Sequence, residues 1–199
     1  MKSFGQYEYI GRTRDDAVGE AFDKVARMLD LPYPGGPHIS KLSEEDRKCD
    51  EVTPHRIQLP RPMMDSNDFD FSFAGLKTAV LRLLQQKWQG KTLPLEIKKQ
   101  IAREFEDAVT DVLVGKTLRA VEEYGASTVV MGGGVSANSH IRNELNRRLK
   151  AESCLLLVCP PEFSTDNGLM IALAGYFRAQ KKEFMNVENL TANGNLKLC

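Results

Sequence analysis

Apolar positions recur along this chain with two different periods. Val18, Ala21, Phe22, Val25, Met28 and Leu29 follow in steps of three and four, which predicts an amphipathic helix over about 15–29. Ile97, Ile101, Phe105, Ala108, Val109, Val112 and Leu113 repeat the pattern in a longer helix over about 95–124. Shorter helical patterns occupy about 76–86 and 139–150, and a last one starts near 165 with Met170, Ile171, Leu173, Ala174 and Phe177 facing inward. Two continuous apolar runs, 128–131 and 154–159, have the length of buried strands. Phe69, Phe71 and Phe73 alternate with the strand period of two. Residues 4–13 read as a strand, a turn at Gly5-Gln6 and a second strand over 7–10. A two-stranded hairpin is marginal by itself, so a neighbouring strand is expected, and none precedes it.

The punctuation between these patterns suggests the organisation. Thr13 and Asp16 have capping-box spacing at the start of the first helix. Pro32-Tyr-Pro-Gly-Gly-Pro37 reads as a rigid turn with two permissive glycines, either a linker or bare backbone close to a ligand. From 43 to 66 the chain is polar and weakly patterned, as loops and short strands are, and 91–95 is a second break. The expected fold is α/β with an all-helical insertion: core segments 1–34 and 126–182, insertion 35–125, and a weakly structured tail 183–199.

Thr128-Val-Val-Met-Gly-Gly-Gly-Val-Ser-Ala-Asn138 joins a strand, a glycine turn and a helix start capped by Ser136 or Asn138. Such a junction turns backbone N–H groups and the positive helix end towards an anion or nucleotide. A plain strand-to-helix turn is the competing reading. The stretch is neither a Walker-type phosphate loop nor a spaced Gly-x-Gly-x-x-Gly.

Composition narrows the function classes. Lys+Arg and Asp+Glu both number 27, so any RNA contact depends on local patches or on partners. Cys49, Cys154, Cys159 and Cys199 form no Cys-x-x-Cys pair and read as reduced thiols of a cytoplasmic protein, two of them buried in one strand. No apolar run is long enough to span a bilayer.

Candidate chemistry is sparse. Asp16, Glu20 and Asp23 stack on one helix face with partial relief from Lys24 and Arg27; they are a solvated face or a row of acceptors for ribose hydroxyls or a metal-bound ligand. Asp166 and Asn167 lie just past a strand end, as helix caps or, for Asp166, as a hard oxygen ligand for a cation. His38, His55 and His140 are far apart in sequence and read as surface or loop residues. Neither a His-x-x-x-His pair nor a Ser-His-Asp or Cys-His set can be drawn from the spacing.

Five ordered segments together carry a resemblance: 11–24, 33–37, Phe69-Asp-Phe-Ser-Phe-Ala-Gly-Leu-Lys-Thr78, Met131-Gly-Gly-Gly-Val-Ser-Ala-Asn138 and Ser164-Thr-Asp-Asn-Gly168. They resemble the TsaD family of tRNA threonylcarbamoyl transferases. The resemblance implies the actin/Hsp70/sugar-kinase architecture, of which this chain matches only the second lobe; the first lobe, with its His-x-x-x-His pair, is missing. It implies transfer of threonylcarbamoyl from threonylcarbamoyl-AMP to the adenine 3′ of the anticodon in tRNAs reading codons that begin with A, with no protein nucleophile. By resemblance, Asp23, Gly36 and Asn138 hold the adenylate, Gly132, Gly133 and Gly134 line its adenosine side, and Asp166 is one ligand of a divalent iron or zinc ion whose site is incomplete here. The implied partners are tRNA, the missing lobe and TsaB- and TsaE-type accessory proteins. A split or degenerate half that binds nucleotide or protein without catalysis is the alternative. A kinase of the same architecture fits the 69–78 and 164–168 segments poorly.

Overall fold

The computed structural model describes residues 1, 6–49, 57–89, 91–160, 163 and 167–192. Residues 12–14 determine where the first helix begins. Phe71 N–H donates to Arg12 O at 2.8 Å and Arg14 N–H to Phe71 O at 2.9 Å, so Thr13 and Phe71 form a parallel bridge and the backbone there is extended. Helix α1 therefore spans Val18–Met28, starting later than the apolar spacing predicts. Thr13 does not cap it; its hydroxyl donates to Asp16 O at 2.9 Å.

Asp15 instead closes the start of α3 (Ala74–Trp88), accepting from Phe73 N at 2.8 Å, Ala74 N at 3.2 Å and the Ser72 hydroxyl. Burial pushes its carboxyl up, but these donors outweigh burial and hold it below the usual carboxylate range. The acidic face of α1 is better compensated than its sequence suggests. Lys24 Nζ lies 2.7 Å from both Asp16 Oδ1 and Glu20 Oε1, and Lys77 Nζ lies 3.3 Å from Asp16 Oδ2.

The proline-glycine stretch is the start of a helix, not a linker. Helix α2 spans Gly35–Arg47 with Pro34 at its N-cap. Gly35, Gly36 and Pro37 fill its first turn, where intrahelical donors are not needed. Gly35 is required by close approach: a Cβ there would sit 2.4 Å from Ala26 Cβ and 2.9 Å from Asp23 Cα. With no side chain, α2 can begin directly against α1.

Helix α4 spans Leu95–Tyr124, as the long apolar stripe predicts. Phe105 is fully buried and meets Phe22 edge to face, with ring centroids 5.0 Å apart. Around this pair one core joins α1, α2, α3 and α4 through Val25, Leu29, Ile39, Leu76, Val80 and Ile101.

Strand β1 (Thr128–Met131) leads through a 3-10 turn (Gly134–Ala137) into α5 (Ser139–Ala151), which crosses back to β2 (Leu155–Val158). The two strands are parallel, with Thr128 opposite Leu155 and Met131 opposite Val158. Val129, Met131 and Leu156 face a second core with Val114, Leu145, Leu149 and Cys154. The architecture of the described residues is thus mixed α/β, mostly helical around a small parallel sheet.

Several expectations are corrected. Residues 7–10 form no strand, and Tyr7, Tyr9 and Ile10 are exposed; among the described residues the β1–β2 sheet takes no further strand. The first strand of that hairpin lies outside the described residues. Phe71 makes one bridge only, because α3 begins directly after Phe73. Cys154 is buried but Cys159 is half-buried, since β2 lies between them and each sits just outside an end. The last helix, α6 (Gly168–Gln180), buries none of its residues. Its Met170, Ile171, Leu173 and Phe177 are exposed, contrary to the expected inward stripe: among the described residues nothing covers them. Of the tail, Val187–Asn189 forms a 3-10 turn. Among the described residues no helix is long and apolar enough to cross a membrane.

Candidate functional site

A run of hydrogen bonds links the predicted binding residues along α2. In the middle of α1, Asp23 accepts from Gly35 N at 2.7 Å through Oδ1. Gly36 follows, and a Cβ built on it meets nothing within 4 Å, so its outer side opens to solvent. One turn further along α2, Ser40 Oγ accepts from Asn138 Nδ2 at 2.8 Å. Asn138 is the N-cap of α5, its Oδ1 accepting from Ile141 N at 2.9 Å.

The glycine turn belongs to the same wall. Gly133 has φ +84°, which only a residue without Cβ adopts at no cost, and it directs the chain from β1 into the 3-10 turn. Gly132, Gly133 and Gly134 are exposed, with open space where side chains would stand. Val135 of that turn reaches back to α1, its Cγ2 lying 3.5 Å from where a Cβ on Gly19 would sit. Hydrogen bonds thus tie Asp23 and Asn138 to α2 on either side of Gly36, and the glycine turn leaves the carboxyl end of β1, where α/β folds take ligands, for the helix that Asn138 caps.

Behind this wall lies an ionic network that the sequence reading missed. Glu106 on α4 is 1% exposed; its Oε1 accepts from Asn138 Nδ2 at 2.7 Å and from Ser40 Oγ at 2.8 Å. Its Oε2 lies 2.6 Å from Arg47 Nη1. The other arm of Arg47 donates to Asp107, which also holds His140 Nε2 at 3.1 Å. His140 is thus a helical residue engaged by a carboxylate, not a loop histidine, because α5 starts one residue before it. A signal existed: Glu106 lies four residues after Ala102 and three before Val109, on the buried side of α4.

Asp107 makes this network acid-sensitive. Burial pushes its carboxyl up, but hydrogen bonds from His140 and Arg47 and their charges overcome burial and set it at about 2, below the ordinary 3.8. A depressed folded-state value stabilises the fold above the unfolded value and ceases to do so as pH falls through the folded one. Stability is therefore expected to drop by about 2 kcal/mol between about pH 4 and pH 2 from this group. Urea midpoints across that range check this, and Asp107→Asn should flatten that part of the profile.

Comparison with known proteins bears on what this wall is for. A family model described as TsaD, tRNA N6-adenosine threonylcarbamoyltransferase, matches residues 1–173. The chain belongs to the TsaD family. It is similar to proteins named tRNA N6-adenosine threonylcarbamoyltransferase from Thermosipho africanus (44% identical over 198 residues, 100% of this chain and 57% of the relative) and Methylobacillus flagellatus (45% over 180 residues, 90% and 51%). A third, from Persephonella marina, is 47% identical over 186 residues, covering 89% of this chain and 48% of the relative. This TsaD-family chain spans about half the length of the curated relatives it matches.

The remaining site expectations divide. Asp166 and His55 lie outside the described residues. Asn167 caps α6, its Oδ1 accepting from Met170 N at 3.0 Å. His38 is on α2 and half-buried, far in sequence and element from any second imidazole of a metal pair. Among the described residues no three His, Cys, Asp or Glu side chains come together to hold a metal ion. The described residues therefore do not make up a divalent-ion site by themselves.

Proposed function

We propose that this chain forms the adenylate-holding side of a tRNA N6-adenosine threonylcarbamoyltransferase, as the second lobe of an actin/Hsp70/sugar-kinase-type pair. In this reading 1–34 and 126–182 are the lobe's core, 35–125 its helical insertion and 183–199 a tail. The observation that carries it is the run from Asp23 through Gly35 and Ser40 to Asn138, beside the open glycine turn. Asp23 uses Oδ1 on the Gly35 amide, which leaves Oδ2 to accept from ribose hydroxyls. Gly36 and the glycine turn offer backbone without side chains in the way. Asn138 fixes the helix start that borders the base.

The bound substrate would be threonylcarbamoyl-AMP. The exocyclic N6 of the tRNA adenine attacks the carbamoyl carbon, the bond from that carbon to the phosphate oxygen breaks, AMP leaves and N6 loses a proton. This chain's part is positioning, which converts a bimolecular encounter into an oriented one. Iron or zinc, where bound, would need ligands from a partner lobe beside Asp166. A partner is also favoured by exposed apolar surface: Ile171 is 75% and Val130 71% exposed, and Leu155 and Leu157 share the uncovered sheet face with Val130. Accessory proteins of the TsaB and TsaE type and tRNA belong to the same reading; with no net charge, tRNA contact rests on local patches.

Titration of the isotope-labelled chain with AMP tests it. The amide signals of Gly36, Gly132, Gly133 and Gly134 should shift together, and Asp23→Asn should weaken binding about tenfold by removing a charged acceptor. Shifts confined to other helices would refute the reading.

A further inference from the structure

Glu106 has a geometry that goes beyond anchoring a helix. Asn138 Nδ2 donates both to Glu106 Oε1 at 2.7 Å and to Ser40 Oγ at 2.8 Å, and Ser40 Oγ donates to the same Oε1 at 2.8 Å. These three side chains come from α4, α5 and α2, three separate elements. A carboxylate can only accept, so it dictates which way the Asn138 amide faces: nitrogen inward, oxygen towards Ile141 N at 2.9 Å. The second oxygen is held by Arg47 at 2.6 Å, so the carboxylate cannot turn away.

We propose that Glu106, with Ser40, is a positioning residue that sets the spacing between the two sides of the adenylate site. Gly36 lies on the α2 side, the glycine turn on the α5 side, and the triangle of Glu106, Ser40 and Asn138 is a direct polar link between them. The proposal rests on the reading of this wall as an adenylate site. Glu106 touches no ligand in it; it acts through Asn138.

Polarity supplies the test. In Glu106→Gln the new NH2 group must face either Arg47 or the Asn138 NH2, and in both cases donor meets donor. Adding Asn138→Asp repairs this: the introduced amide turns its oxygen to Arg47 and its nitrogen to the new carboxylate, and an aspartate still caps α5. Two readouts are followed in the full chain, AMP affinity by chemical-shift titration and hydrogen exchange of the Asn138 side-chain amide.

Glu106→Gln is expected to weaken AMP binding at least tenfold and to speed exchange of the Asn138 side-chain amide at least tenfold. The Glu106→Gln/Asn138→Asp pair should recover most of the AMP affinity. A merely structural glutamate would lower the unfolding midpoint of the single variant and leave AMP affinity and its recovery unmoved, which overturns the proposal. If the wild-type chain gives no AMP response at all, the adenylate reading falls. In that case unchanged Asn138 amide exchange in Glu106→Gln still overturns the positioning role, and faster exchange supports it.

Discussion

Gly35→Ala should lower the stability of this TsaD-family chain by about 3 kcal/mol, whereas Gly36→Ala, one residue on, should leave it folded and poor at holding AMP. The difference lies in what each new methyl group meets. At position 35 it would lie 2.4 Å from Ala26 Cβ, 2.9 Å from Asp23 Cα and 3.1 Å from Phe22 O. Ala26 and Phe22 are core residues, so α2 must move away from α1 and the 2.7 Å bond from Gly35 N to Asp23 stretches. At position 36 the methyl meets nothing within 4 Å, and alanine favours a helix by about 1 kcal/mol over glycine. That open space is where the adenylate is proposed to lie. Urea unfolding of both variants, with AMP titration of Gly36→Ala, checks the pair. The expected result for Gly36→Ala is an unfolding midpoint no lower than wild type and at least tenfold weaker binding.

The same glycine pair explains why part of the fold could be read from sequence and part could not. Where burial acts along one face, spacing was enough: Leu95–Tyr124 stands where periodicity put it, whereas the apolar run Thr128–Met131 forms the expected strand but not a buried one, Val130 being exposed on its open face. Gly35-Gly36-Pro37 follows local turn chemistry in sequence, yet it opens a helix because α1 offers a surface that only a side-chain-free residue can approach. Thr13 and Asp16 form no capping box for a comparable reason. Phe71, nearly sixty residues away, bonds the backbone of Arg12 and Arg14 on either side of Thr13, Phe73 and Ala74 bond the Asp15 side chain, and no window of adjacent residues contains that information. For α6 the apolar residues were visible, but a helix so apolar is expected to be buried, and what would cover it is not among the described residues.

The residues of the proposed binding wall were legible as residue types and motifs, while the partners behind them were not. Asp23, Gly36 and Asn138 were picked out by resemblance, and hydrogen bonds tie Asp23 and Asn138 to α2 through Gly35 and Ser40. Spacing puts Glu106 on the buried side of α4, but nothing local in the sequence tells which residues meet it, or that Arg47 and Asp107 join it. The bonds join Glu106 and Asp107 of α4 to Arg47 of α2 and to Asn138 and His140 at the start of α5, so their role depends on the tertiary packing of three helices.

Lys116→Met is expected to cost about 3 kcal/mol and to loosen the 66–73 segment while sparing the rest of the fold. Lys116 on α4 is 2% exposed. Its Nζ donates to Ser66 Oγ at 2.8 Å, to Asp68 O at 3.2 Å and to Asp70 O, and lies 3.5 Å from Asp68 Oδ1 and 5.6 Å from the centroid of the Phe71 ring. Burial, chiefly, lowers its pKa from the usual lysine value, so these acceptors are what keep an ammonium in the interior. Methionine has nearly the same length and no donor, so it fills the space and leaves the carbonyls of Asp68 and Asp70 without this partner. Arg119 still donates to Asp68 O and covers Phe69 from 5.0 Å, so the segment should loosen rather than detach. The consequence runs through Phe71 to α1: losing the clamp weakens the bridge to Thr13 and, next to it, the Asp15 cap on α3. Hydrogen exchange should therefore quicken at Phe71 and Phe73 amides, with those of Ile101 to Val109 changed only by the global loss. Equal acceleration along all of α4 would mean that Lys116 supports the helix itself and not the aromatic segment lying on it.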